Sequence, residues 1–449
     1  MLFTLEALPA EEGDCLLLHW GTRKGKKKGE KKLPFVALID GGPGLVYDND
    51  LRPRLEEIVE NLEVAQLPLE LVMVSHMDSD HIIGIKKLFS ALKKEVDNNA
   101  PPADRIVRAK RLWLNVFNDI LGDAIDKYYQ TLPKGLQASV DGKPSPELVK
   151  RLKEKFETKE KDEDEDQAIF NAETVAAVLA GHGDGRTLRD DHRFLFEKQQ
   201  TATLNAPLTA GGGKATLITL EKTPEAKIEG LKFQIAGPAL AEIQALQKEF
   251  DKYIEENGMT AEAVLAAYAD KSVKNLSSIV CLAEFEGKTM LLTGDARGDL
   301  VIKGLIARKL LKNEKSTLTV DILKVPHHGS DNNVEEAFFK TIVADTYVLS
   351  GDGVHGNPER ATLEMITNAR GKKAKFDLVL TYDIDHIDAN RKKEFETKQK
   401  KKKPENQKKW DNKSMSLKTF FAEKKAEKFA FTLLTGTRKI DLGDEKVDY

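Results

Sequence analysis

Val72-Met73-Val74-Ser75-His76-Met77-Asp78-Ser79-Asp80-His81-Ile82-Ile83-Gly84 is the stretch on which the reading of this chain turns. An apolar run, the pattern of a buried strand, ends at Ser75. Four side chains able to bind metal, His76, Asp78, Asp80 and His81, follow within six residues. An apolar, helix-like stretch then runs from Ile82 to about Leu92. A tight loop between strand and helix can turn alternate side chains toward one ion and its Asp-His pair toward a second. Acids and imidazoles crowded at a strand end are costly unless something shares their charge.

Metal centres gather oxygen and nitrogen donors from several strand ends. Three further places supply them. Asp40 ends a strand over Phe35–Asp40 and precedes the turn Gly41-Gly42-Pro43-Gly44. Leu291-Leu292-Thr293-Gly294-Asp295 sets an acid just past another strand, and Lys324-Val325-Pro326-His327-His328-Gly329-Ser330 sets two histidines past a third. Asp295 is the candidate bridge, because one carboxylate between two cations lowers their mutual repulsion. A single Asp beside glycine is common in turns; the weight lies in all these features together.

The chain around them suits a large α/β protein. Its 449 residues are 40% hydrophobic, enough for a sizeable core, and 32% charged. A net charge of -3 singles out no partner. Cys15 and Cys281 each sit in an apolar run and are read as reduced core residues, not a disulfide framework. The N-terminal stretch lacks the pattern of a signal peptide. No run approaches the roughly 18 apolar residues of a membrane span. A cytoplasmic protein without membrane contact is expected.

Short strands are expected at Leu2–Leu8, Asp14–Trp20, Leu69–Ser75, Ala215–Leu220, Leu231–Ala236, Ser277–Glu284, Thr289–Thr293, Thr319–Val325 and Thr346–Ser350, with further ones at Phe429–Leu434 and Lys439–Leu442. Helices are expected at Arg52–Asn61, Ala239–Tyr253, Ala296–Leu311 and Val334–Val343. The alternation fails between about Asp97 and Leu204. That segment is helix-leaning and charged, most of all over Lys150–Asp166, and reads as an insertion able to cap an active site. Residues 386–449 form a basic C-terminal segment returning to the fold. Within it, Arg391–Lys409 lacks apolar periodicity and is expected to be a flexible loop.

Taken together, the chain resembles the metallo-β-lactamase-fold hydrolases. It is most similar to the branch containing the hydrolase domain of competence-type DNA-uptake proteins. The resemblance is carried by Ser75–Gly84, by Asn275-x-Ser-Ser-Ile-Val, by Leu291–Asp295, by Lys324–Ser330 and by Ser350-Gly-x-Gly-x-His355-Gly-Asn-Pro358. It covers about residues 1–95 and 215–385. It implies an αββα four-layer sandwich, α/β in class, with a helical insertion and a metal site along one edge. It further implies that His76 and Asp78 bind one divalent ion, that Asp80, His81 and one of His327 and His328 bind a second, and that Asp295 bridges both. Asp40 matches the family's first acid, which orients a ligand loop.

Two departures narrow the chemistry. Asp78 stands where the more familiar motif has histidine, which makes the first site harder and brings manganese into competition with zinc. The third family histidine has only His182 and His192 as candidates, both in the insertion, with Asn275 or Ser277 able to line that side instead. His19 and His386 read as structural or solvated. His355 reads as a substrate contact or general acid.

The expected reaction is attack by a metal-activated hydroxide on a phosphodiester, with two Zn or Mn ions. Asp80 or Asp78 would steer the proton, and His327, His328 or His355 would stand near the leaving group. Basic segments at Lys24–Lys32 and Arg391–Lys409 would attract a nucleic acid or another phosphodiester. Two alternatives stand beside this one. The first is hydrolysis of a small lactone, thioester, lactam or phosphoester. The second is a partner-dependent component of a multi-protein system, docked through the insertion.

Overall fold

The computed structural model describes residues 1–24, 32–116, 129–130, 132–133, 143–159, 165–208, 217–244, 277–400, 402, 404–436 and 439–449. Asn275 and most of Lys24–Lys32 lie outside these residues. The chain is mixed α/β, with its strands in two mixed sheets. It divides into two compact units. One holds Met1–Val36, Glu225–Ala236 and Val280–Asp448; the other holds Ala37–Pro224, Gly237–Ile279 and Tyr449.

In the first unit, β1 (Leu2–Ala7) pairs antiparallel with β2 (Leu16–Gly21), Thr4 facing His19 across the ladder. The buried His19 Nε2 lies 3.0 Å from Glu6 Oε2, which gives this histidine a structural role. The eight-stranded sheet runs β14-β13-β12-β11-β10-β9-β8-β7. Its strands are β7 (Glu225–Ile228), β8 (Leu231–Gly237), β9 (Val280–Phe285), β10 (Lys288–Leu292), β11 (Leu318–Lys324), β12 (Ile342–Leu349), β13 (Asp377–Leu380) and β14 (Thr432–Thr435). From β10 to β14 the neighbours are parallel. Parallel neighbours need crossovers, and helices such as Gly298–Ala307, Glu336–Thr341 and Arg360–Arg370 supply them. The strands carry Leu291, Leu323, Tyr347, Leu349 and Leu378 into one buried core. In a parallel run the chain leaves adjacent strands at the same end. The segments after β10, β11 and β12 are therefore neighbours, and they are the segments with the acid, the two histidines and Ser350.

The expected loop at Arg391–Lys409 is instead helical in its first part, within Ile384–Lys400. Sparse apolar periodicity hid it, because it is held by polar contacts and not by an apolar stripe. Ile387 is buried, and Arg391 donates to the carbonyls of Gly356 and Met415. Asp388 accepts from the amides of Leu417 and Lys418, at the start of the helix Leu417–Ala426. The expected strand at Ala215–Leu220 is also absent: its described residues, 217–220, form no strand.

In the second unit, β4 (Leu67–Met73) pairs in parallel with β5 (Val107–Ala109) and β6 (Leu112–Trp113). The segment read as helix-leaning from Asp97 thus begins by adding strands. Helix α1 (Arg52–Leu62) precedes β4, and α2 (Ser79–Asp97) follows it. Helix α2 buries Ile82, Ile85, Leu88, Phe89 and Leu92 at helical spacing. The long helix Glu165–Glu197 lies against α2. Lys86 Nζ is 2.6 Å from Asp184, and Asp191 accepts from Ser90 and Lys93. Gly185 packs on the Met77 side chain, where a Cβ would fall 2.1 Å from Cε. Among the described residues, no helix is long and apolar enough to cross a membrane.

Candidate functional site

The loop from β4 to α2 is built around Asp40. Its backbone is left-handed (φ 58), a conformation that Asp tolerates better than most residues. Asp40 Oδ1 accepts from the Ser75 amide at 2.7 Å. Its Oδ2 accepts from Ser75 Oγ at 2.7 Å and lies 2.9 Å from His81 Nδ1. One buried carboxylate therefore fixes both the exit of β4 and the ring of His81. A glycine pair makes the geometry possible. Gly41 N donates to His81 O, Gly84 N donates to Gly42 O, and a Cβ on Gly84 would sit 1.9 Å from Gly41 O. Only two residues without side chains let this turn cross the first turn of α2.

This arrangement brings the opening motif together. His76 and His81 are buried, their ring centroids 4.0 Å apart. His76 Nδ1 lies 3.1 Å from Ser75 Oγ, and its Nε2 is 3.9 Å from Asp78 Oδ2. His81 Nε2 is 3.6 Å from Asp80 Oδ2. Asp78 occupies the N-cap of α2, where an Asp side chain ordinarily takes the first free amides. Here it makes no such cap bond.

In the first unit a second donor set forms after β10 and β11. Thr293 Oγ1 donates to Lys324 O at 2.7 Å, tying the two strand ends together. Asp295 follows, buried. His327 and His328 both adopt left-handed backbone (φ 49 and 56), and Gly329 continues it at φ 87. Left-handed non-glycine residues cost about 1–3 kcal/mol each and persist only where surroundings impose them. The turn sets two adjacent imidazoles against one carboxylate. His327 Nε2 is 3.5 Å from Asp295 Oδ2, and His328 Nε2 is 3.4 Å from Asp295 Oδ1. On the far side of each ring, His327 Nδ1 meets Asn333 Oδ1 at 2.7 Å and His328 Nδ1 meets Ser350 Oγ at 2.9 Å. Burial opposes charge on His328, but Asp295 and Asp14 outweigh it and hold the imidazole pKa well above its ordinary value.

Asp14, Lys324, Ser350 and Asn333 were not legible as site residues. Asp14, Asp295 and His328 each offer a ligand atom, and these lie within 4.8 Å of one another. The only sequence signal for Asp14 is an acid set between Gly13 and the apolar run from Cys15. His355 is exposed at a left-handed position. Among the described residues, no hydrogen bond or ion pair joins it to His327, His328 or Asp295. The two insertion histidines are built into packing. His182 is buried with its ring 4.8 Å from Tyr129. His192 Nε2 meets the Ala202 carbonyl at 3.1 Å, and burial lowers its pKa to about 4. His386 stacks on Tyr382 in the first unit, half exposed.

The donor chemistry fits divalent ions. In all four histidines Nδ1 is engaged by an oxygen of the protein, while Nε2 points at a carboxylate. That is the arrangement by which a metal-binding imidazole is oriented from behind. The four Nε2-to-carboxylate distances, 3.4–3.9 Å, exceed an ordinary N–H···O bond. Two ligands of one ion, each about 2.1 Å from it, stand roughly 3–3.5 Å apart. Beside Asn333 opens a cleft of about 450 Å³ lined by Arg297, Lys303, Asp331, Asn332, Val334 and Phe338, among others. No family model and no curated protein sequence matches the chain.

Proposed function

We propose that this protein is a metal-dependent hydrolase of the metallo-β-lactamase type, acting on phosphodiesters as a phosphodiesterase or nuclease. The observation that carries the reading is the common bracing of His76, His81, His327 and His328. Each Nδ1 is engaged by a protein oxygen and each Nε2 stands beside Asp78, Asp80 or Asp295. The four donors that follow β4 and the three that follow β10 and β11 would hold divalent ions, Zn or Mn. The αββα arrangement of sheets and helices belongs to the same proposal, as does a location in the cytoplasm.

When bound, such ions make hydroxide available near neutral pH and offset charge on a phosphoryl oxygen. The chain's own part is positional. Asp40 and Ser75 fix the rings of His81 and His76, and Asn333 and Ser350 fix those of His327 and His328. Asp78 and Asp80, at the start of α2 and partly exposed, are placed to take and pass on a proton. His355, exposed and away from the bonded network, is reserved for substrate contact. The exposed lysines of the Ile384–Lys400 helix suit a polyanionic substrate.

A second reading, hydrolysis of a small lactone, thioester, lactam or phosphoester, draws support from the cleft beside Asn333, whose volume suits a small molecule. Metal analysis of the purified protein, followed by assays on single-stranded DNA, RNA and a generic phosphodiester with zinc and with manganese, tests both. The Asp80→Ala/His81→Ala variant is expected to lose bound metal and activity together. Full hydrolysis by that variant would sink the metal-dependent reading.

A further inference from the structure

The first unit contains a fully buried charge pair that the proposed hydrolysis leaves without a task. Lys324 Nζ lies 2.8 Å from Asp14 Oδ2, and both residues are 1% exposed. The ammonium also donates to the Val325 carbonyl at 3.2 Å. Asp14 Oδ1 accepts from Ser350 Oγ at 2.5 Å, and Ser350 Oγ lies 2.9 Å from His328 Nδ1. Lys324 ends β11, Ser350 follows β12, Asp14 precedes β2 and His328 lies in the left-handed turn. Four elements thus converge on one line of hydrogen bonds.

The direction of that line follows from counting protons. An ionised carboxylate beside an ammonium only accepts, and a hydroxyl has one proton to give. Ser350 gives its proton to Asp14, so toward His328 it only accepts. His328 Nδ1 must then carry a proton, and the lone pair for coordination belongs to Nε2, 3.4 Å from Asp295 Oδ1. We infer that Asp14 and Lys324 are positioning residues that fix His328, through Ser350, in the state that binds a divalent cation at Nε2. Lys324 engages the second oxygen of Asp14 and draws it away from the metal donors, so Asp14 orients a ligand and is not one itself. This inference rests on the metal-binding reading above, but its first readout does not need a metal.

The experiment has two parts. In full-length protein with ¹⁵N-labelled histidine, the Nδ1 proton of His328 is expected as a downfield, slowly exchanging signal, before and after zinc is added. The absence of a protected Nδ1 proton would overturn the inference, whether or not zinc binds. Second, Asp14→Ala/Lys324→Met removes both charges together and frees the Ser350 hydroxyl to turn. It is expected to lose the protected signal and to bind zinc 10- to 100-fold more weakly. Ser350→Ala should fall less, because Asp14 Oδ1 is already 3.4 Å from Nδ1 and can take the proton directly. A folded double variant that keeps the protected Nδ1 signal and wild-type zinc affinity would also overturn the inference. If the double variant does not fold, the wild-type signal decides alone. If wild type binds no zinc yet shows the protected proton, the metal-binding reading fails while the orienting line stands.

Discussion

Asp40 Oδ2 lies 2.9 Å from His81 Nδ1, although 41 residues separate them and Asp40 must adopt left-handed backbone to make the contact. The same carboxylate holds the Ser75 amide and hydroxyl. Asp40→Ala is therefore expected to weaken metal binding 10- to 100-fold. It should also destabilise the second unit by about 1–3 kcal/mol, because the buried Ser75 amide loses its acceptor. Zinc titration and urea denaturation of the metal-free protein separate the two effects. Unchanged affinity in a folded variant would remove Asp40 from the orienting role.

Gly84 tolerates no side chain. A Cβ would stand 1.9 Å from Gly41 O, a backbone atom with no rotamer to adopt. Gly84→Ala is expected to cost about 1–3 kcal/mol or more by overpacking. The urea midpoint should fall with the m-value unchanged. Gly287→Ala, where a Cβ meets nothing within 4 Å, serves as the comparison; its penalty comes from its positive φ alone.

His192 gives the second unit an acid sensitivity. Burial lowers its pKa to about 4, against about 6.5 in an unfolded chain. The folded state favours the neutral ring, so the unfolded state takes up the proton first as pH falls. This contribution to stability is complete above about pH 6.5, declines through the interval, and is gone by about pH 4. The whole change is on the order of 3 kcal/mol. His192→Gln should flatten that part of the stability-pH curve. An identical slope in wild type and variant would exclude His192 as its source.

If the substrate is a single-stranded nucleic acid, binding should weaken steeply with salt. Lys392, Lys393 and Lys398 are exposed on the Ile384–Lys400 helix. Each phosphate contact adds about 0.7 to the slope of log K against log salt. Replacing all three lysines with alanine should lower the slope by about 2. A slope unaffected by the triple change would move the contact surface elsewhere.

Cys281 is buried and its thiol pKa is pushed up to about 12. Cys15 is buried as well. Neither is expected to react with a thiol reagent in the native protein, and both should react in denaturant. Rapid labelling of the native protein would contradict this packing.

The strand-to-helix motif was legible because its pieces are local: an apolar run, four donors, then an amphipathic helix. Asp295 and the His327-His328 pair were legible for the same reason, each just past a short apolar strand. Asp14 was not, because its role depends on Lys324 and Ser350, more than 300 residues away, and nothing near it distinguishes it from a turn acid. Asn333 was missed similarly: its amide serves His327 through a loop with no periodicity to mark it. Residues 391–400 of the Ile384–Lys400 helix were read as loop because its anchors, Asp388 and Arg391, bond to distant backbone groups. Composition cannot register such partners. His355 was weighted by its glycine-rich surroundings, yet it lies outside the bonded network.

The docking of Glu165–Glu197 on α2 bears on how an ion would be felt. Asp80 and His81 open a helix pinned along its length by Asp184 and Asp191 and buried on its apolar face. These donors do not ride on a loop that can fray by itself. Anything they hold in the folded state is therefore linked to the unfolding of that entire unit. At a free concentration a thousand times the dissociation constant, such linkage is worth about 4 kcal/mol. A chelator would register as a lowered melting temperature even where catalysis is too slow to assay.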